Sequence, residues 1–149
     1  MRVLIVEDDY FKFSKISTVI AAAFRGVDFR HYDNVFGAIN YLKSETPDAI
    51  VLDMSLPSHP AVAGQGSPVS MPAGGIEIIL EIRRLRMSRI PILVLTQYPD
   101  VEVEYEYYSI EESGRVIKDL YGIENLKVVH YDNDSVQWVH QTERFLESL

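Results

Sequence analysis

Residues 47–57 read PDAIVLDMSLP. Pro47 breaks the preceding segment, Ala49–Leu52 is uninterrupted apolar sequence, and Asp53 ends it. A run this short and this apolar fits a strand buried on both faces, as in a parallel sheet. Working outward, the same form recurs at Arg2–Val6 (RVLIV), which ends in Glu7, Asp8 and Asp9, and at Pro91–Leu95 (PILVL), which runs into Thr96. Asp28–Tyr32 and Leu126–Tyr131 (LKVVHY) supply two more strand candidates.

Helical spacing separates these runs. It is carried by Phe13, Ile16, Ile20 and Ala23, then by Val35, Ile39 and Leu42, and again by Ile76, Ile79, Leu80 and Arg83. Ser109 with Glu112 forms a capping-box pattern that starts a helix at Ile110 and ends it near Gly122. Asp134 with Gln137 is placed to cap a last helix carrying Trp138, Phe145 and Leu149. Five strands alternating with five helices predict an α/β fold, a doubly wound five-stranded parallel sheet with helices on both faces.

In such folds ligands sit beyond the carboxyl ends of the strands. That rule selects Glu7, Asp8, Asp53 and Thr96, while Asp9 suits the N-cap of the first helix. Carboxylates brought together there repel one another unless a cation sits among them. Hard oxygen donors without cysteine or a histidine partner favour Mg²⁺.

The whole-chain numbers exclude several classes. With 149 residues, 47% of them hydrophobic, the chain fits one globular domain, residues 1–149. It has no cysteine, which removes disulfide scaffolds and thiolate zinc sites. A net charge of −8 repels a phosphate backbone, so no direct nucleic-acid binding is expected. No apolar run is long enough to span a bilayer, and acidic residues follow the N-terminus too soon for a secretory signal. A cytoplasmic protein with no membrane contact is the expectation. The four histidines lack metal-ligand spacing, and His31 and His140 read as ordinary surface or boundary residues.

Two segments break the rhythm. Residues 57–75 are crowded with Pro57, Pro60, Pro68, Pro72 and four glycines, and read as a long loop. Residues 97–108 alternate Val101, Val103, Tyr105 and Tyr107 with glutamates, which fits an edge strand or an extended loop. The tyrosines are expected to be partly buried. Both segments follow strand ends on the pocket side, where they are placed to cover a site or dock a partner.

Residues Val3–Asp9 (VLIVEDD), Pro47–Pro57 and Ile92–Thr96 (ILVLT) together resemble the receiver domain of two-component response regulators, with its CheY-like, flavodoxin-like fold. The resemblance implies that Asp53 accepts a phosphoryl group from a partner histidine. It implies Mg²⁺ held by Glu7, Asp8, Asp53 and the Ser55 backbone carbonyl, and a Thr96 hydroxyl bonded to the phosphoryl group. The implied partner is a histidine kinase or histidine phosphotransfer protein. Such a module is not an enzyme beyond slow self-dephosphorylation. The chain ends with its last helix, so output is expected through an unidentified downstream protein or a homodimer.

The sequence departs from that family where the last strand ends. His130-Tyr131 stands where a lysine followed by proline is usual, and Lys127 stands at the usual aromatic switch position. Imidazole is no permanent cation, and Lys118 is the candidate substitute. These departures favour a rival reading, a pseudo-receiver that binds partners without being phosphorylated. A Mg²⁺-dependent phosphatase of haloacid-dehalogenase type ranks last, because Ser55 occupies the place of its second aspartate.

Overall fold

The computed structural model describes all of residues 1–149. In chain order its elements are β1 (Arg2–Val6), α1 (Tyr10–Ala23), β2 (Asp28–Tyr32), α2 (Val35–Ser44), β3 (Ala49–Leu52), β4 (Leu56–Pro57), β5 (Ser70–Met71), α3 (Gly74–Arg84), β6 (Ile92–Thr96), β7 (Asp100–Val103), β8 (Glu106–Ser109), α4 (Ile110–Tyr121), β9 (Leu126–His130) and α5 (Gln137–Glu147). The five strand candidates form one parallel sheet in the order β2-β1-β3-β6-β9. Val6 lies beside Leu52, and Leu52 beside Val94, so the carboxyl ends of β1, β3 and β6 finish side by side.

Side chains alternate across this sheet. Leu4, Val6, Ile50, Leu52, Ile92 and Val94 face α2, α3 and α4 in one core. Val3, Ile5, Ala49, Val51, Leu93 and Leu95 face α1 and α5 in the other. Both faces are covered, which is why these strands read as continuous apolar runs.

Most helix ends follow the local chemistry. Asp9 Oδ1 accepts from the amides of Phe11 and Lys12 and caps α1. Ser109 Oγ accepts from Glu112 N at the start of α4, and Gly122 closes that helix with φ +65°. The last helix differs from expectation. Ser135 Oγ, not Asp134, accepts from the first amide of α5, at Gln137. The buried stripe of α1 is Lys12, Ile16 and Ile20, while Ala23 is exposed.

The two irregular segments are more ordered than their composition suggests. At the foot of the Pro/Gly-rich stretch, Leu56 and Pro57 of β4 pair antiparallel with Met71 and Ser70 of β5. A proline is tolerated there because the ladder is two-stranded and has no central strand. Residues 97–108 do not join the main sheet. They form a separate hairpin, β7 against β8, turning at Glu104 and Tyr105, both at positive φ. That backbone suits a tight hairpin turn. Val101 and Val103 plug the hairpin into the α2–α4 core. The turn reverses the chain and breaks the alternation, so Tyr105 is 94% exposed and Tyr107 is also exposed.

The start of α3 presses on the strand end that carries Asp53. Gly75 N donates to the Met54 carbonyl, and a Cβ at Gly75 would lie 2.7 Å from the Asp53 carbonyl oxygen. No side chain fits that contact without moving backbone. Gly75→Ala is therefore expected to cost about 1–3 kcal/mol of stability, measured by urea denaturation.

Candidate functional site

Each acidic side chain of the pocket is aimed by the backbone around it. Asp53 follows β3, its amide donating to the Val6 carbonyl. Its Oδ1 accepts from Met54 N at 2.8 Å. Glu7 follows β1, its amide donating to the Tyr32 carbonyl and its Oε1 accepting from Asp9 N at 3.0 Å. Glu7 and Asp53 are buried, whereas Asp8 is half-buried. One oxygen from each of Glu7, Asp8 and Asp53 lies within 4.8 Å of the others.

The cation that the sequence reading sought elsewhere comes from α1. Lys12 Nζ lies 2.6 Å from Glu7 Oε2 and 3.4 Å from Asp53 Oδ2, and it donates to the Leu95 carbonyl at 2.8 Å. Its side chain is only 2% exposed. Helical side chains lean toward the helix N-terminus, so a lysine in the first turn of α1 reaches back over the strand ends. Lys118, by contrast, is exposed in the last turn of α4. The signal for Lys12 was its place at i−4 and i−8 to Ile16 and Ile20, a charged residue in register with a buried stripe.

His130 ends β9 with its ring Nε2 3.1 Å from the Gln97 carbonyl oxygen, and it pairs with none of the three carboxylates. Thr96 is buried, and its hydroxyl oxygen accepts from Tyr98 N at 3.2 Å. Two further residues escaped the sequence reading. His31 is half-buried, as a boundary residue, but it also stacks on Phe13 and its Nε2 meets the Glu7 carbonyl oxygen at 2.8 Å. Ser70, in the β4–β5 ladder, donates its hydroxyl to Asp8 Oδ2 at 3.3 Å. Beside the pocket opens a cleft of about 420 Å³, lined by Met54, Ser55, Ser70, Thr96, Tyr98 and Tyr107 among others.

The donor set fits a hard divalent cation. Three carboxylates face one ammonium, which leaves two negative charges when all are ionised. Burial pushes the Glu7 carboxyl up to about 7, although Lys12 opposes the shift. Burial also pushes Asp53 up against the pull of Lys12. A dication would relieve both.

The family model for the response regulator receiver domain matches residues 3–129. The chain belongs to the response regulator receiver family. This receiver is 44% identical over 148 residues to the Detocs response regulatory protein DtcB of Vibrio alginolyticus, covering 98% of this chain and 99% of that one. In structure it is similar to the response regulatory domain of protein mrkE from Klebsiella pneumoniae, with a TM-score of 0.65 and 17% identity over 100% of this chain and 94% of that one. It is equally similar to the phosphorylated cyanobacterial phytochrome response regulator RcpA, with a TM-score of 0.65 and 19% identity over 98% and 91%. At these identities the two structures speak to the fold alone. Receivers are phosphorelay signalling modules of two-component systems that work with histidine kinases or phosphotransfer proteins. No helix of this receiver is long and apolar enough to cross a membrane.

The Glu7 shift carries a pH dependence. The folded state holds the Glu7 proton up to about 7, whereas the ordinary value is 4.5. The stability this lends is full below the ordinary value and is lost as pH rises through the folded one. In metal-free buffer, wild-type unfolding free energy is expected to fall more steeply than that of Glu7→Gln between about pH 5 and pH 8. Parallel urea-denaturation curves across that range would show that Glu7 stays ionised throughout.

Proposed function

We propose that this receiver accepts a phosphoryl group on Asp53 from a partner phosphohistidine and signals through contacts with other proteins. The observation that carries this reading is the convergence of Glu7, Asp8 and Asp53 beside the buried Thr96 hydroxyl, at the joined ends of β1, β3 and β6.

In the proposed step an Asp53 carboxylate oxygen attacks the phosphorus. A P–O bond forms, the P–N bond to the donor imidazole breaks, and its electron pair returns to the imidazole nitrogen, which takes a proton. Glu7, Asp8, Asp53 and the Ser55 carbonyl would hold Mg²⁺, which when bound neutralises charge developing on the phosphoryl oxygens. Met54 N holds the second Asp53 oxygen and so orients the attacking one. Thr96, whose oxygen already accepts from Tyr98 N, keeps its hydroxyl proton to donate to the phosphoryl group. Turning that hydroxyl strains the Tyr98 contact at the rim of the cleft, a route from the phosphoryl group to the surface. Slow hydrolysis of the acyl phosphate would reset the module.

The alternative is a pseudo-receiver that is never phosphorylated. It is favoured by the ion pairs that Lys12 already makes with Glu7 and Asp53, and by half-buried Lys127 at the switch position.

Intact mass after incubation with phosphoramidate and Mg²⁺ separates the two. The expected result is one Mg²⁺-dependent phosphoryl adduct, absent in Asp53→Asn. An adduct that survives in Asp53→Asn moves the site elsewhere, and no adduct in wild type favours the pseudo-receiver. Asp8→Asn is expected to weaken Mg²⁺ binding by about tenfold or more, read by calorimetry. Thr96→Ala is expected to be phosphorylated yet to lose the change in Tyr98 surroundings, read by amide NMR.

A further inference from the structure

The family's usual lysine at the end of the last strand is missing, and the residue in its place turns its ring to the Gln97 carbonyl. The pocket nonetheless holds an ammonium. An ammonium has three protons to donate, and Lys12 Nζ faces three acceptors, on Glu7, Asp53 and the Leu95 carbonyl. The Tyr131 ring lies 5.3 Å from Nζ and packs in turn on Trp138. Tyr131 follows His130, so one residue of the pair that replaces lysine and proline packs beside the Lys12 ammonium.

We propose that Lys12, supplied from the first turn of α1, is the cation that receives the phosphoryl oxygens at Asp53. This deepens the phosphoacceptor reading and rests on it. A pairing with Glu7 alone would leave the ammonium anchored to β1. Instead it is held by groups from the ends of β1, β3 and β6 together, beside the residue before Thr96. Its contact to Asp53, at 3.4 Å, is the longest of the three. When the attacking carboxylate commits its charge to the new P–O bond, that contact passes to a phosphoryl oxygen while the two shorter ones keep Nζ in place. Asp9, which caps α1 through the amide of Lys12 itself, fixes the backbone from which the side chain departs. A positive charge already in position needs no reorganisation as the transition state forms.

The test compares Lys12→Met, Lys12→Arg and the alternative cation variant, Lys118→Met. Phosphorylation by phosphoramidate is followed by intact mass, Mg²⁺ affinity by calorimetry and folding by thermal melting. Lys12→Met is expected to slow phosphorylation about 100-fold, while Mg²⁺ binds as tightly or more tightly, since the ammonium no longer competes for Glu7 and Asp53. Lys12→Arg is expected to recover part of the rate, and Lys118→Met to match wild type. A rate and an Mg²⁺ affinity that fall together mark a merely structural lysine and overturn the proposal, as does an unchanged rate in Lys12→Met. Should Lys12→Met fail to fold, Lys12→Gln, which keeps a hydrogen-bond donor for Glu7 but no charge, is read in its place, with the same slowing expected. If wild type forms no adduct at Asp53, the phosphoacceptor reading falls and takes this one with it. If wild type forms the adduct and Lys12→Met forms it equally fast, only the role of Lys12 is lost.

Discussion

Three carboxylates held within 4.8 Å of one another at the edge of a buried sheet are the constraint around which this pocket is built. Like charges at that spacing, shielded from water, repel strongly and must be compensated. The backbone supplies part of the answer through the amides of Asp9 and Met54. Lys12 supplies a full charge, and His31 braces the Glu7 backbone from behind. With all three carboxylates ionised, two negative charges remain, the deficit a divalent cation fills. The pocket therefore stores a preference for positive charge that the fold sustains through hydrogen bonds and packing rather than solvent.

The two additions to the alternation of strands and helices are built into the molecule. The hairpin of β7 and β8 is anchored by Val101 and Val103 in the main core, and the ladder of β4 and β5 closes the foot of the Pro/Gly-rich stretch. Burial of two valines is worth a few kcal/mol in transfer terms, about 1.5–3 for each, enough to hold a short hairpin that is marginal in isolation. Both additions border the cleft beside Ser55 and Thr96, and Ser70 from the ladder reaches Asp8. The cleft beside the acidic pocket is thus shaped by segments that follow strand ends β3 and β6.

Much of the architecture was legible from local signals. Short apolar runs ending in acidic residues mark strands whose carboxyl ends carry chemistry, because buried parallel strands leave little room for polar residues except where they exit the sheet. Asp9, Ser109 and Gly122 are legible because caps are satisfied by neighbours in the chain. Glu7, Asp8, Asp53 and Thr96 came from the same logic, and the sheet order brings them to one edge. The alternation in residues 97–108 was visible as a strand period, but the reversal at Glu104 and Tyr105 was not, since no glycine marks it and two non-glycine residues take positive φ there.

The chain order of apolar runs and punctuating residues determined which segments are strands and helices, the caps at Asp9 and Ser109 and the placing of acidic residues at strand ends, because each depends on neighbours within a few residues. Tertiary structure alone decided which cation meets the acidic cluster. Lys12, Lys118, Lys127 and His130 are all basic, and although Lys12 lies in register with the apolar stripe of Ile16 and Ile20, that register does not say what its ammonium meets. The choice falls to Lys12 because α1 packs on the sheet with Lys12, Ile16 and Ile20 inward, and a first-turn side chain leans back across the ends of β1, β3 and β6. That geometry is a long-range property of packing, set by contacts between residues far apart in the chain.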